Sequence, residues 1–339
     1  MNQMTHQFTA DDFASDQEVR WCPGCGDYAI LKCMQRTLPT LGADPATTVF
    51  VSGIGCSSRF PYYMATYGFH TIHGRAPAIA SGLKLARPEL DVWIITGDGD
   101  SLSIGGNHTL HVLRRNIDVQ ILLFNNQIYG LTKGQASPTS RVGTKSPSTP
   151  YGSVDQPVTP CAFALGANAR FIARTIDTAQ AHMPTVFRRA HEHRGASFVE
   201  IFQNCIVYND AVYEPFTAKA NALDNQLLLE HGQPMVFGKQ KTKGLRLNHQ
   251  TLRLEVTEWE PGAGVPADVL VHDETNRMIA QALIEMPFPD FPVALGVIYC
   301  DPAPTFEARV HDQVDEIAAR KPKPDLNALL RSGQTWTVA

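Results

Sequence analysis

The sequence predicts an α/β protein: a doubly wound parallel sheet followed by a C-terminal extension. Three observations carry this. Apolar runs of strand length recur at residues 48–52, 92–96, 119–124, 171–175 and 197–202. Segments with helical spacing alternate with them through residue 205. Two runs end in clusters of small and polar residues, Gly97-Asp98-Gly99-Asp100 and Asn125-Asn126-Gln127-Ile128-Tyr129-Gly130. A crossover helix between two parallel strands puts both clusters at strand carboxyl ends, where open parallel sheets bind ligands.

The elements follow in order. Residues 1–20 are polar and read as an N-terminal arm. Residues 26–38 predict a helix, with apolar positions at Ile30, Leu31, Met34 and Leu38. The strand at 48–52 runs into Gly53-Ile54-Gly55-Cys56, and a helix at 76–86 stops at Arg87-Pro88. A strand at 92–96, a helix at 104–115 and a strand at 119–124 come next. Residues 131–160 are rich in Pro, Ser, Thr and Gly, and a long irregular stretch inside a domain is usually a functional loop. A strand at 171–175, a helix at 178–193 and a strand at 197–202 complete a main domain over 21–215. The extension, 216–339, shows strand-like alternation in 227–260. Helical segments at 275–285 and 308–319 flank a strand-like run at 293–299. It is expected to pack on the main domain and to shape a partner surface.

Composition excludes several classes. At 339 residues the chain forms one large domain or two small ones, and 43% hydrophobic with 18% charged residues is ordinary for a water-soluble α/β protein. A net charge of −4 gives no footprint for nucleic acid or an anionic membrane. No apolar stretch approaches the length of a membrane span, and the polar start does not read as a signal peptide. Seven cysteines, an odd number, point to a reducing, cytoplasmic setting in which they serve as ligands or buried thiols.

The clusters carry the chemistry. Glycines let the backbone approach a phosphate closely, and Asp98 with the amide oxygen of Asn126 offers hard ligands for Mg²⁺. Together they predict a metal–diphosphate site. Cys22-Pro23-Gly24-Cys25 opens the first predicted helix, Cys56 closes the first glycine-rich strand end, and Cys205 follows the last strand. If those ends face one side, four thiolates converge beside the diphosphate site, where they suit a [4Fe–4S] cluster or a structural zinc. A thioredoxin-like redox pair is disfavoured, because no strand precedes the Cys-x-x-Cys. Cys33, Cys161 and Cys300 read as core or incidental thiols, and His70, His108 and His111 as packing or helix-face histidines.

The paired clusters resemble the diphosphate motif of thiamine diphosphate enzymes. The resemblance implies that Asp98, Asn126 and the Ile128 carbonyl hold Mg²⁺. It implies that the amides of Gly99 and Asp100 face the diphosphate, and that a helix opened by Ser101 or Ser103 points its amino end there. The joint pattern over residues 18–215 resembles the thiamine diphosphate-binding β subunit of 2-oxoacid:ferredoxin oxidoreductases. The motifs that carry it are Trp21-Cys22-Pro23-Gly24-Cys25-Gly26, Gly53-Ile54-Gly55-Cys56, His73-Gly74-Arg75, Gly97-Asp98-Gly99-Asp100 and Asn107-His108. They continue with Arg114-Arg115-Asn116, Asn125 through Thr132, Gly134-Gln135, Ser137-Pro138-Thr139 and Cys205.

That family implies one [4Fe–4S] cluster on Cys22, Cys25, Cys56 and Cys205. It implies a cofactor site comprising Gly55, Cys56, Ser57, His73, Gly97, Asp98, Gly99, Asp100, Asn126, Ile128, Gly130, Leu131 and Thr132. The implied reaction is decarboxylation of a 2-oxoacid at the cofactor's thiazolium carbon. One-electron transfer to the cluster, acyl transfer to coenzyme A and reduction of ferredoxin follow, all in principle reversible toward CO₂ fixation. No Cys-x-x-Cys-x-x-Cys run occurs, so the chain carries a single cluster and needs an external carrier. The carboxylate that activates the aminopyrimidine is expected on an α subunit, in an α2β2 assembly.

The spellings Cys56-Ser57-Ser58-Arg59-Phe60 and Ile128 through Gln135 resemble the 2-oxoglutarate branch. There the positions matching Arg59 and Leu131 help recognise the substrate side chain. Arg59 either pairs with a distal carboxylate, directly or through water, or contacts the partner subunit or a surface acid. His73 either lies near the diphosphate or the reacting centre or caps the following helix. Pyruvate or another 2-oxoacid remains an alternative substrate. A non-oxidative thiamine enzyme with structural zinc, or a zinc-stabilised nucleotide-binding scaffold, remains an alternative function.

Overall fold

The computed structural model describes residues 7–320 and 325–338. Helix α1 (Asp27–Thr40) begins directly after the Cys-x-x-Cys-Gly segment and buries Ile30, Leu31, Met34 and Leu38. Then come β1 (Thr48–Ser52), β2 (Tyr67–His70), α2 (Ala76–Ala86), β3 (Asp91–Gly97), α3 (Asp98–Leu102), α4 (Gly106–Arg115) and β4 (Gln120–Asn125). After a long loop follow α5 (Pro160–Gly166), β5 (Phe171–Ile176), α6 (Met183–Glu192) and β6 (Ser197–Phe202). The last third adds α7 (Glu214–Thr217), α8 (Ala222–Asn225), β7 (Gln226–Leu229), β8 (Val236–Phe237), β9 (Lys243–Asn248) and β10 (Arg253–Glu258). It ends in α9 (Arg277–Ile284), β11 (Val293–Cys300), α10 (Phe306–Arg320) and α11 (Leu326–Leu330).

The main sheet has eight strands in the order β2-β1-β3-β4-β6-β5-β11-β7. All neighbours pair parallel except β11 with β5. Every residue of β1, β4, β5 and β6 is buried, the mark of strands covered on both faces. Alternation assigns the faces. Val49, Val51, Ile94, Ile121 and Leu123 pack into one core, while Phe50, Trp93, Ile95, Leu122 and Phe124 pack into the other. Helices α2, α4, α5 and α9 supply residues to the first core, and α1 and α6 to the second. The fold is therefore a doubly wound, mostly parallel sheet.

Four expectations differ in detail. The helix at 104–115 is α4, which starts at Gly106, and a separate short helix, α3, precedes it and opens at Asp98 rather than at Ser101 or Ser103. The break is a packing solution: a Cβ on Gly105 would lie 2.4 Å from the Asp100 carbonyl and 2.9 Å from Gly74. The helix at 178–193 is confined to Met183–Glu192, starting where Pro184 can occupy a first turn. The arm is pinned where it is described: Phe13 is fully buried and the Ser15 amide donates to the Tyr63 carbonyl. Residues 1–6 lie outside the described residues.

The extension is the fourth. Its strands β7 and β11 join the main sheet, while β8, β9 and β10 form a separate three-stranded antiparallel sheet. Strand β11 was legible as an apolar run, but its place beside β5 rests on contacts about 120 residues apart in sequence.

Candidate active site at the strand carboxyl ends

The two clusters meet as β3 and β4 pair in register, Gly97 opposite Phe124. Asp98 is only 2% exposed, and its Oδ2 accepts hydrogen bonds from Ser137 Oγ at 2.6 Å and Thr139 Oγ1 at 2.5 Å. Burial pushes its carboxyl up to about 6, against those hydroxyls and nearby amides that hold it down. The long loop thus returns to the predicted metal ligand. The two asparagines have separate jobs. Asn126 Oδ1 accepts from the Ile128 amide at 3.2 Å, a local turn that fixes the segment carrying the Ile128 carbonyl. Asn125 Nδ2 donates to Glu200 at 2.8 Å, and its Oδ1 accepts from Thr139 at 3.0 Å. Behind it Glu200 accepts from Arg174 at 2.8 Å, and both are buried.

Asp100 turns out to be a staple. Its carboxylate accepts from the Ile54 amide at 3.0 Å, the Gly74 amide at 2.7 Å and Thr96 Oγ1 at 2.8 Å. It thereby ties two loops to the end of β3. Gly53 is required there, since a Cβ would fall 2.0 Å from Asp100 Oδ2. Gly99 is required in the same sense: a Cβ would lie 2.1 Å from the Tyr129 ring, whose hydroxyl donates to the Gly99 carbonyl.

These loops surround a cavity of about 420 Å³. Its walls include every residue expected at the cofactor: Gly55, Cys56, Ser57, His73, Gly97, Asp98, Gly99, Asp100, Asn126, Ile128, Gly130, Leu131 and Thr132. His73 sits on the exposed rim. Sequence reasoning missed Asp27 and Gln203 in this wall. Asp27 is fully buried and no hydrogen bond of ordinary geometry satisfies either oxygen; burial pushes its carboxyl up to about 7, against the Cys25 thiol, and nearby Asp177 adds to the rise. Its place straight after the Cys-x-x-Cys-Gly segment was the only signal available.

A second cavity of about 260 Å³ adjoins the first, with Cys22, Cys25, Cys56 and Cys205 all in its wall. Cys56, Asn126, Gly130, Leu131 and Gln203 line both cavities. Gly130 keeps the gap open: a Cβ there would lie 3.4 Å from Cys205 Sγ and 3.7 Å from Cys56 Sγ. Burial and then the Asp27 charge push the Cys25 thiol up, and burial, Asp27 and the neighbouring thiols push Cys56 up to about 12. Among the described residues, no three His, Cys, Asp or Glu side chains are placed to hold a single metal ion. Arg59 lines this second cavity and not the first, donating to the Arg20 carbonyl at 3.2 Å. Leu131 lines both, so the two predicted substrate-side residues share the wall of the second cavity only. Cys33, Cys161 and Cys300 are buried outside both.

A parallel sheet with paired Gly-Asp-Gly and Asn-Asn ends around one cavity defines the diphosphate-binding domain of a thiamine diphosphate enzyme. Residues 53–201 match the family model described as the thiamine pyrophosphate enzyme C-terminal TPP binding domain. The 2-oxoglutarate oxidoreductase subunit KorB of Mycobacterium tuberculosis is 49% identical over 335 residues, covering 96% of this chain and 88% of that one. The β subunit of 2-oxoacid:ferredoxin oxidoreductase 1 of Aeropyrum pernix is 47% identical over 190 residues, 56% of this chain and 60% of its own. Among solved structures, the 2-oxoglutarate:ferredoxin oxidoreductase of Magnetococcus marinus, with 2-oxoglutarate, coenzyme A and succinyl-CoA bound, superimposes with a TM-score of 0.77. It is 30% identical, and the match covers 98% of each chain. This chain belongs to the family of 2-oxoacid:ferredoxin oxidoreductase β subunits.

Proposed function

We propose that the chain is the β subunit of a 2-oxoglutarate:ferredoxin oxidoreductase. The complex converts 2-oxoglutarate, coenzyme A and oxidised ferredoxin into succinyl-CoA, CO₂ and reduced ferredoxin, reversibly. The observation that carries this is the shared wall: the four-cysteine cavity opens beside the diphosphate cavity across Cys56, Asn126, Gly130, Leu131 and Gln203.

The residues fit the groups the reaction needs. Asp98, Asn126 and the Ile128 carbonyl form an all-oxygen set suited to Mg²⁺, and the Gly99 and Asp100 amides lie in the wall that would meet a diphosphate. The orphaned oxygens of Asp27 call for a donor or a cation, and an aminopyrimidine–thiazolium cofactor offers both. Four thiols in the wall of one cavity beside the diphosphate cavity fit a [4Fe–4S] cluster that would accept electrons from the cofactor. Thiols disfavoured as anions by burial and by one another gain the positive partner they lack when iron binds them. When bound, thiamine diphosphate supplies a carbanion for the keto carbon, and the cluster accepts single electrons.

The chain's own contributions are positional. Ser137 and Thr139 orient Asp98, whose carboxylate would hold the metal. Leu131 and Tyr129 line the cavity and would lie against a bound cofactor. His73, an exposed residue of the wall at its rim, would donate to a diphosphate or substrate oxygen. Ile72 and Ile104 on the same rim are 64% and 57% exposed, apolar surface for an α subunit to cover. That subunit carries the pyrimidine-binding domain, in an α2β2 complex acting in the cytoplasm; no helix among the described residues is long and apolar enough to cross a membrane. Electrons leave to ferredoxin. Arg59 lines the cysteine cavity together with Leu131, so a distal substrate carboxylate that passes Leu131 would meet it there. Arg59→Ala therefore raises KM for 2-oxoglutarate far more than for a monocarboxylate 2-oxoacid. Equal effects on both substrates in steady-state assays would remove Arg59 from recognition.

A further inference from the structure

Gln203 directly follows β6 and is 1% exposed. Its main-chain amide donates to the Asn125 carbonyl at 2.9 Å, which fixes the backbone beside β4. Its side chain spans the two cavities. Oε1 accepts from Asn126 Nδ2 at 2.8 Å, while Nε2 donates to the Asn204 carbonyl at 2.6 Å and to Cys25 Sγ at 3.3 Å. The orientation is dictated by the partners. The Asn204 carbonyl accepts only, so the amide nitrogen must face it and Cys25, and the oxygen must face Asn126. Asn126 is fixed the same way, because its own oxygen accepts from the Ile128 amide. One buried carboxamide therefore links a predicted Mg²⁺ ligand to a predicted cluster ligand with no intervening water.

We propose that Gln203 is a positioning residue that tunes the iron–sulfur cluster and steadies the metal site at once; this rests on the cofactor and cluster assignments above. A hydrogen bond donated to a cluster-ligating thiolate withdraws charge from the sulfur and favours the reduced cluster. Gln203 thus raises the reduction potential of the cluster that accepts electrons from the cofactor. Its other end holds the Asn126 carboxamide with the oxygen turned away from the cysteine cavity, so the metal ligand is oriented before metal arrives. Hydrogen bonds in series polarise one another, so a cation at Asn126 Oδ1 strengthens the donation that ends on Cys25. Electron acceptance is thereby adjusted to whether the cofactor site is filled.

The test uses the enzyme purified without oxygen together with its partner chain, as wild type, Gln203→Leu and Gln203→Glu. Iron and sulfide are assayed. The midpoint potential is read by spectroelectrochemical titration, beside the Mg²⁺ concentration that half-saturates thiamine diphosphate binding. Gln203→Leu lowers the potential and raises the Mg²⁺ requirement several-fold. Gln203→Glu keeps an oxygen toward Asn126 and, once ionised, offers no donor toward Cys25, so at pH values above its own titration it lowers the potential and leaves the Mg²⁺ requirement near wild type. If the leucine variant fails to assemble, the near-isosteric glutamate variant carries the measurement. An unchanged potential in a variant with full iron and sulfide overturns the proposal. A wild-type protein without iron and sulfide overturns the functional reading, and this inference with it.

Discussion

Asp98 shows how one buried residue can couple metal binding to pH. Its carboxyl is held near 6, above the 3.8 of a free side chain, chiefly by burial. An acid raised on folding binds more protons folded than unfolded. Its contribution to the stability of the metal-free chain is thus greatest at low pH and is lost as pH rises from 3.8 through about 6. Metal binding runs the other way, because Mg²⁺ needs the carboxylate. Affinity for Mg²⁺ with thiamine diphosphate is therefore expected to fall as pH drops through about 6, and to lose that dependence in Asp98→Asn, which binds weakly throughout. Calorimetric titrations across this range check it; a flat profile in the wild type would contradict it. At this scale the sequence revealed which residues surround the cavity, because Gly-Asp-Gly and Asn-Asn-x-Ile sit in contiguous strand ends. It did not reveal that Asp100 is a staple, since its partners come from residues 54, 74 and 96. Nor did it reveal Gln203, a lone amide without a motif.

The strands β4, β5 and β6 hold the site from beneath. Arg174 on β5 and Glu200 on β6 form a buried pair, and Glu200 also takes Asn125 Nδ2 and the Cys161 thiol. Removing one partner leaves an uncompensated buried charge. Glu200→Ala is expected to destabilise the chain by about 3–5 kcal/mol in urea unfolding. It should also loosen the loop that Thr139 fastens to Asn125 and Asp98. A loss within measurement error would mean that Arg174 finds another partner. Apolar runs and their spacing exposed the five central strands, because strands covered on both faces read as continuous hydrophobic segments. Strand β2 escaped notice, since all four of its residues are exposed at the sheet edge. The short α5 lay hidden at the end of a stretch whose Pro and Ser content reads as loop.

At the scale of the whole molecule, the described residues contain one mostly parallel sheet and one small antiparallel sheet, with no second α/β domain. At the cavity rim Ile72 and Ile104 expose apolar surface beside His73. A chain of this kind should show no acyl-CoA production alone and gain it on adding its partner; turnover by the isolated chain would contradict that division of labour. The joining of β7 and β11 to the main sheet was not legible, because sheet order is set by long-range contacts that local pattern does not encode. The most direct test is to purify the chain with its partner under anaerobic conditions and to assay iron, sulfide, zinc and thiamine diphosphate together. Two adjoining cavities with these walls predict about four irons, four sulfides and one thiamine diphosphate per chain. Zinc without sulfide would contradict the electron-transfer reading and leave a non-oxidative thiamine enzyme.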